Sequence, residues 1–205
     1  MVTTRLHGRH RGFTLVELMI TLTVAAILAA VAIPNMRTFL WNNRISSTAN
    51  DLLHSIQVAR TEAIKRQNGS VSVCATPDAS SAVSDASLAC SYGNFSQWFV
   101  FYDQNSNGVH DNGEPVLGRG GAAPTNTVKS NQKGIVCFGP TGFSNPVCGT
   151  QQPTTAVTIC DTRGNTAVGT NSTARALFIS QTGRSRVSRL FADVNTAIAS
   201  TGSCP

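Results

Sequence analysis

Gly12-Phe13-Thr14-Leu15-Val16-Glu17-Leu18 opens an apolar stretch that runs on to Ile33, and the reading of this segment decides the architecture. Of the 21 residues from Phe13 to Ile33, the polar ones are Thr14, Glu17, Thr21 and Thr23. At 1.5 Å per residue such a helix measures about 30 Å, enough to cross the hydrocarbon core of a bilayer. Arg5, Arg9 and Arg11 stand before it. A secretory signal peptide is cut after its apolar core. Here the evident processing point, Gly12/Phe13, lies before the core, so a cut there keeps the apolar segment. The basic leader places the N-terminus in the cytoplasm and everything after Pro34 outside, since Arg37 and Arg44 form a weaker cluster.

Glu17 separates this segment from a plain single-pass anchor. An acid in a membrane helix is costly and is kept for a partner. A cut after Gly12 creates an amine on Phe13, one helical turn from Glu17. In a stack of such helices that amine also meets a neighbour's carboxylate, in a low dielectric where the pairing counts for more.

Arg11-Gly12-Phe13-Thr14-Leu15-Val16-Glu17-Leu18 resembles the type IV prepilin leader junction and methylation site. The resemblance implies cleavage after Gly12 by a prepilin peptidase, N-methylation of Phe13 and a role for Glu17 in assembly. The partners it implies are major and minor pilins or pseudopilins and an inner-membrane assembly platform. On this reading residues 1–12 are the leader and 13–34 the transmembrane and filament-core segment. Residues 35–68 are the amphipathic half of the same helix, and 69–205 a β-rich periplasmic domain.

Pro34 ends the apolar run and is expected to kink or interrupt the helix there. Beyond it Ile45, Ala49, Leu52, Ile56, Ala59 and Ala63 recur at steps of three and four, which predicts a helix with one buried stripe. Asn68-Gly69 ends it. Short runs rich in β-branched and aromatic residues follow, bounded by Gly, Pro, Asn or Ser. They are Val71–Cys74, Gln97–Tyr102, Lys133–Phe138, Ala156–Cys160, Arg175–Ser180 and Arg186–Leu190. The expected fold is α+β and type IV pilin-like, a long N-terminal helix packed on an antiparallel sheet. A domain of about 140 residues is large enough for its own core.

Cys74, Cys90, Cys137, Cys148, Cys160 and Cys204 all fall in the exported part, and an even count there argues for disulfides. Six cysteines leave 15 connectivities open. Sequence proximity and the need to tie down the tail favour Cys74–Cys90, Cys137–Cys148 and Cys160–Cys204. No Cys-x-x-Cys occurs, and the exported histidines are His54 and His110, which argues against a zinc cluster.

The run from Asp103 to Glu114 fits a calcium-loop pattern. Asp103, Asn105, Asn107, the Val109 carbonyl, Asp111 and Glu114 are the candidate oxygen ligands, with Gly108 at the sharp turn. Strand-like flanks replace the helices of an EF-hand, however, and the preferred reading is a polar hairpin turn closed by Asx turns. No cofactor is required on either reading.

From residue 41 onward twelve Lys and Arg face nine acids, so the exported part is mildly basic. Gln181-Thr182-Gly183 reads as a turn. In an extended segment after it, Arg184 and Arg186 point to the same face at period two, with Arg189 close by and Arg175 on the preceding strand. Such a cluster can clamp phosphates without reading bases.

Trp98-Phe99-Val100-Phe101, the Asp103–Glu114 loop and Ile179–Val187 are similar to the GspH/FimT group of minor pilins and type II secretion pseudopilins. Gly183-Arg184-Ser185-Arg186 matches the Gly-Arg-any-Arg motif of FimT-like minor pilins, which bind DNA during natural transformation. That resemblance implies double-stranded DNA as a partner, Arg184 and Arg186 as contacts and Gly183 as the turn. Structural or priming minor pilins and secretion pseudopilins are the alternatives. No nucleophile elbow or zinc-protease helix is present, so an enzyme is not expected. Trp98 and Phe101 read as core residues, His54 as a stem-surface residue, and Trp41 as an interfacial anchor or filament contact.

Overall fold

The computed structural model describes residues 12–91, 93–145 and 148–204, so Arg5, Arg9 and Arg11 lie outside the described residues. The chain divides after Leu40 into two compact units. One helix, α1 (Leu15–Arg66), runs through that boundary.

In the first unit α1 begins beside Thr14, whose Oγ1 accepts from the Glu17 amide at 3.2 Å. Its apolar side chains stand in solvent, Leu15 74% and Ile27 67% exposed. A helix apolar all round and without a protein partner belongs in lipid or among other helices. The helix is long and apolar enough to cross a membrane. It continues through Pro34, where a kink or interruption was expected, and ends at Arg66. The ring removes one N–H, while Asn35 Nδ2 donates to the Val31 carbonyl and Thr38 Oγ1 to the Pro34 carbonyl, both at 3.2 Å.

In the second unit the rest of α1 is amphipathic. Ile45, Ala49, Leu52, Ile56, Ala59 and Ala63 are buried, together with Thr48 and Ser55 on the same stripe. Burial of each large aliphatic chain among them contributes about 1.5–3 kcal/mol. Lys65 and Arg66 occupy the last turn and both pair with Glu62. Cations there suit the helix dipole.

Two antiparallel sheets, not one, meet this stripe. The first has the order β3 (Val116–Gly121), β2 (Gln97–Asp103), β1 (Ser70–Thr76), β5 (Ile135–Phe138). The second runs β4 (Thr127–Ser130), β6 (Ala156–Cys160), β8 (Asn171–Ile179), β7 (Ala167–Val168), with β9 (Ser185–Leu190) also on β8. Val73, Trp98, Val100 and Val136 from the first sheet share one core with Val157, Ile159 and Leu177 from the second and with α1.

Period-two alternation sends the intervening residues to the opposite faces. Cys74, Phe99, Phe101 and Cys137 form a second core behind the first sheet, with Leu88 and Cys148. Behind the second sheet a C-terminal helix, α2 (Phe191–Thr201), packs Val194 and Ala197 on Cys160, Ala174 and Ala176. The disulfides Cys74–Cys90 and Cys137–Cys148 fasten loops onto the first of these outer cores, and Cys160–Cys204 fastens the tail onto the other.

Candidate functional site

The Asp103–Glu114 loop is closed by its own backbone. Asp103, 1% exposed, accepts from the amides of Asn107 at 3.1 Å and Gly108 at 2.8 Å and from Ser70 Oγ at 3.3 Å. Asn107 Oδ1 takes the Val109 amide, and Glu114 takes the amides of Gln104 and Asp111. Asn105 and Asn107 donate to Asp111 Oδ2, and these bonds hold the Asp111 carboxyl below the usual carboxylate range. Oxygens that a cation would need thus already accept N–H donors, the arrangement of a polar turn. Among the described residues no group of three or more His, Cys, Asp or Glu is placed to hold a metal ion.

The basic segment spans the turn before β9 and the strand itself. β9 starts at Ser185, so Arg184 belongs to the turn before it, where its amide and carbonyl are bonded to Ser180. Arg184 and Arg186 are both exposed, with the half-buried Ser185 between them. Arg184 is exposed beside Gln57, Arg60 and Thr61 of α1. Arg186, opposite Phe178 in the register, lies 4.6 Å over that ring and pairs with Asp193 of α2 at 2.8 Å. Its hydrogen bond, ahead of that from Ser188, holds the Asp193 carboxyl below the usual carboxylate range.

Arg175 does not join the exposed arginines. It is half-buried, Nη1 donating to the carbonyls of Ser172, Thr173 and Ala174 and Nη2 to Ser46 Oγ of the stem. Burial lowers its pKa first, and the nearby charges of Arg189 and Arg163 add to that, while Asp161 opposes it. A guanidinium remains charged through such a shift. Arg189 is exposed on the edge strand.

Gly183 and the stem residue Arg60 organise this end of the molecule. Arg60 Nε donates to the Gly142 carbonyl at 2.9 Å and Nη2 to the Thr182 carbonyl at 3.3 Å. Gly183 has φ +76°, and a Cβ there would stand 2.0 Å from the Gly142 carbonyl oxygen. Glycine is thus required at the head of the motif by backbone packing as well as by turn geometry. Arg60 lies off the buried stripe of α1. Its partners lie 82 and 122 residues away, and no local pattern announces them.

Trp41 is half-buried under Arg163, 5.3 Å from its guanidinium, rather than an exposed anchor. Arg163 also forms a charge-assisted pair with the buried Asp161 and donates to Asn42 Oδ1 at 3.0 Å. At the other end of the chain, Gly12, Phe13, Thr14 and Glu17 surround one open depression, with Phe13 81% exposed.

Comparison with known proteins places these features. The family described as "Type II transport protein GspH" matches residues 48–183. The chain belongs to the GspH family. The prokaryotic N-terminal methylation motif matches residues 8–33 of this GspH-family chain. The type IV major pilin protein PilA of Myxococcus xanthus is 44% identical over 52 residues, a match covering 25% of this chain and 24% of that protein. Two crystal forms of the Pseudomonas aeruginosa type IV minor pilin FimU superpose with TM-scores of 0.47 and 0.45 at 23% and 22% identity. They cover 73% and 70% of this chain and 92% and 91% of theirs. The chain thus joins an N-terminal methylation motif to a GspH-family region.

Proposed function

We propose that this chain acts as a structural subunit, placed in the filament by its N-terminal helix, in pilus biogenesis or in type II secretion. The observation that carries the reading is the pairing of a GspH-family globular unit with an unpartnered apolar helix start. Residues 1–12 act as the leader, cut by a prepilin peptidase after Gly12. Phe13 carries the new amine, and Glu17 meets a neighbouring subunit's amine. The chain crosses the inner membrane once with its N-terminus in the cytoplasm. It leaves the bilayer from an assembly platform, where exposed apolar side chains exchange lipid for neighbouring helices. The mass of the mature chain tests the first step. An N-terminus at N-methylated Phe13 is expected, and a chain still bearing Arg11 contradicts it.

A second reading, double-stranded DNA binding, is supported by Arg184, Arg186 and Arg189, all exposed along one edge. Arg186 uses Nη1 on Asp193, and its side chain is 60% exposed. Duplex affinity of the full chain in detergent is expected to fall with salt, by about 0.9 log units per tenfold salt for each phosphate neutralised. Arg184→Ala/Arg186→Ala is expected to flatten that slope. An unchanged slope removes this reading and leaves the structural one.

A further inference from the structure

Phe143 is 53% exposed and stands on a tightly fixed turn. The Gly139 amide donates to its carbonyl at 3.1 Å, the Gly142 amide to the Gly139 carbonyl at 2.9 Å, and the Ser144 amide to the Gln181 carbonyl at 3.0 Å. Arg60 adds its bonds to Gly142 and Thr182, so two turns from distant parts of the sequence are clamped on one stem residue. An aromatic ring held this way is presented to solvent at little further entropic cost on binding.

Three shallow depressions adjoin along this edge. The one under Phe143, about 370 Å³, is completed by Ser144, Gln181 and Thr182. Thr182 leads through Gly183 into a second of about 410 Å³, which holds Arg60 and Arg184. Ser144 and Gln181 are shared with a third of about 330 Å³, where Asn145 and Gln152 contribute side-chain amides. Among the described residues no carboxylate lines any of the three. Glu62, farther along α1, is engaged by Lys65 and Arg66.

We propose that this edge binds single-stranded nucleic acid, Phe143 stacking a base, Arg184 taking a neighbouring phosphate and the amides meeting base edges. The proposal rests on the nucleic-acid reading above and changes its ligand at this edge. A flat apolar face beside a guanidinium, with hydrogen-bonding amides and no acid, suits unstacked bases on a polyanion. Bases inside a duplex are already stacked and offer Phe143 no face.

Fluorescence anisotropy of the full chain in detergent, with a short oligothymidylate and with a duplex of the same length, tests it. Phe143→Ala is expected to weaken oligothymidylate binding about tenfold and to leave duplex binding unchanged. Phe143→Tyr keeps the ring and is expected to retain affinity, whereas Arg184→Ala weakens both probes. Equal oligothymidylate affinity of Phe143→Ala and the parent overturns the stacking edge. Should the duplex still bind through Arg184 in that case, the duplex reading stands and this edge alone falls. No binding of either probe by the parent overturns both.

Discussion

Trp98→Ala is expected to lower the stability of the globular unit by about 3–5 kcal/mol, the range for removing a large buried aromatic. Trp98 is fully buried in the core shared by α1 and both sheets, and its Nε1 donates to Ser55 Oγ of the stem at 2.8 Å. The ring therefore joins β2 to α1 by packing and by one buried hydrogen bond. Across the sheet Gly120 faces it, and a Cβ there would lie 2.5 Å from the indole Cε2 and Nε1. Ser55→Ala, which leaves the indole N–H unpaired, is expected to cost about 1–3 kcal/mol. Urea unfolding of the full chain in detergent reads both. A Trp98→Ala chain within about 1 kcal/mol of the parent would contradict this core.

Gly183→Ala is expected to cost about 2–4 kcal/mol, from a left-handed backbone and from overpacking against a carbonyl that cannot step aside. The new Cβ would fall 2.0 Å from the Gly142 oxygen and 2.9 Å from Arg60 Nε, so it pushes on the clamp itself. The melting temperature should drop, and amide exchange should rise at Gly142 and Ser144, whose bonds lie in the paired turns. Arg184→Ala, at an exposed position, should leave both unchanged. A Gly183→Ala chain as stable as the parent would mean that the two turns are not held against each other.

Much of this architecture could be read from residue order, because it rests on local periodicity. The stem stripe from Ile45 to Ala63 is a 3.6-residue pattern, and all six of its residues are buried. The strands around Cys74, Trp98, Cys137, Ile159 and Leu177 stand out by β-branched and aromatic content. The division into two sheets was not legible, since strand partnership is a long-range property. Helix α2 was missed although Val194, Ala197 and Ile198 repeat at helical steps and Gly202 caps the end.

The basic edge was legible only as composition. Burial of Arg175 against Ser46, the Asp193 partner of Arg186 and the place of Arg184 in the turn depend on contacts between distant segments. Arg60 and Phe143 left no local signal, because a stem arginine and a loop phenylalanine acquire meaning only when two turns meet. The N-terminal junction is the opposite case. Its chemistry lies within six residues, from Gly12 to Glu17, and needs no tertiary structure to be seen.

The claim that this chain is a filament subunit positioned by its N-terminal acid is tested most directly by Glu17→Ala. The substituted and parent chains would be compared by quantitative blot in the membrane and sheared-filament fractions of cells that assemble the filament. Glu17→Ala is expected to reach the membrane and begin at Phe13 like the parent, yet to be lost from the filament fraction. Recovery of Glu17→Ala in filaments at the parent's level would contradict it.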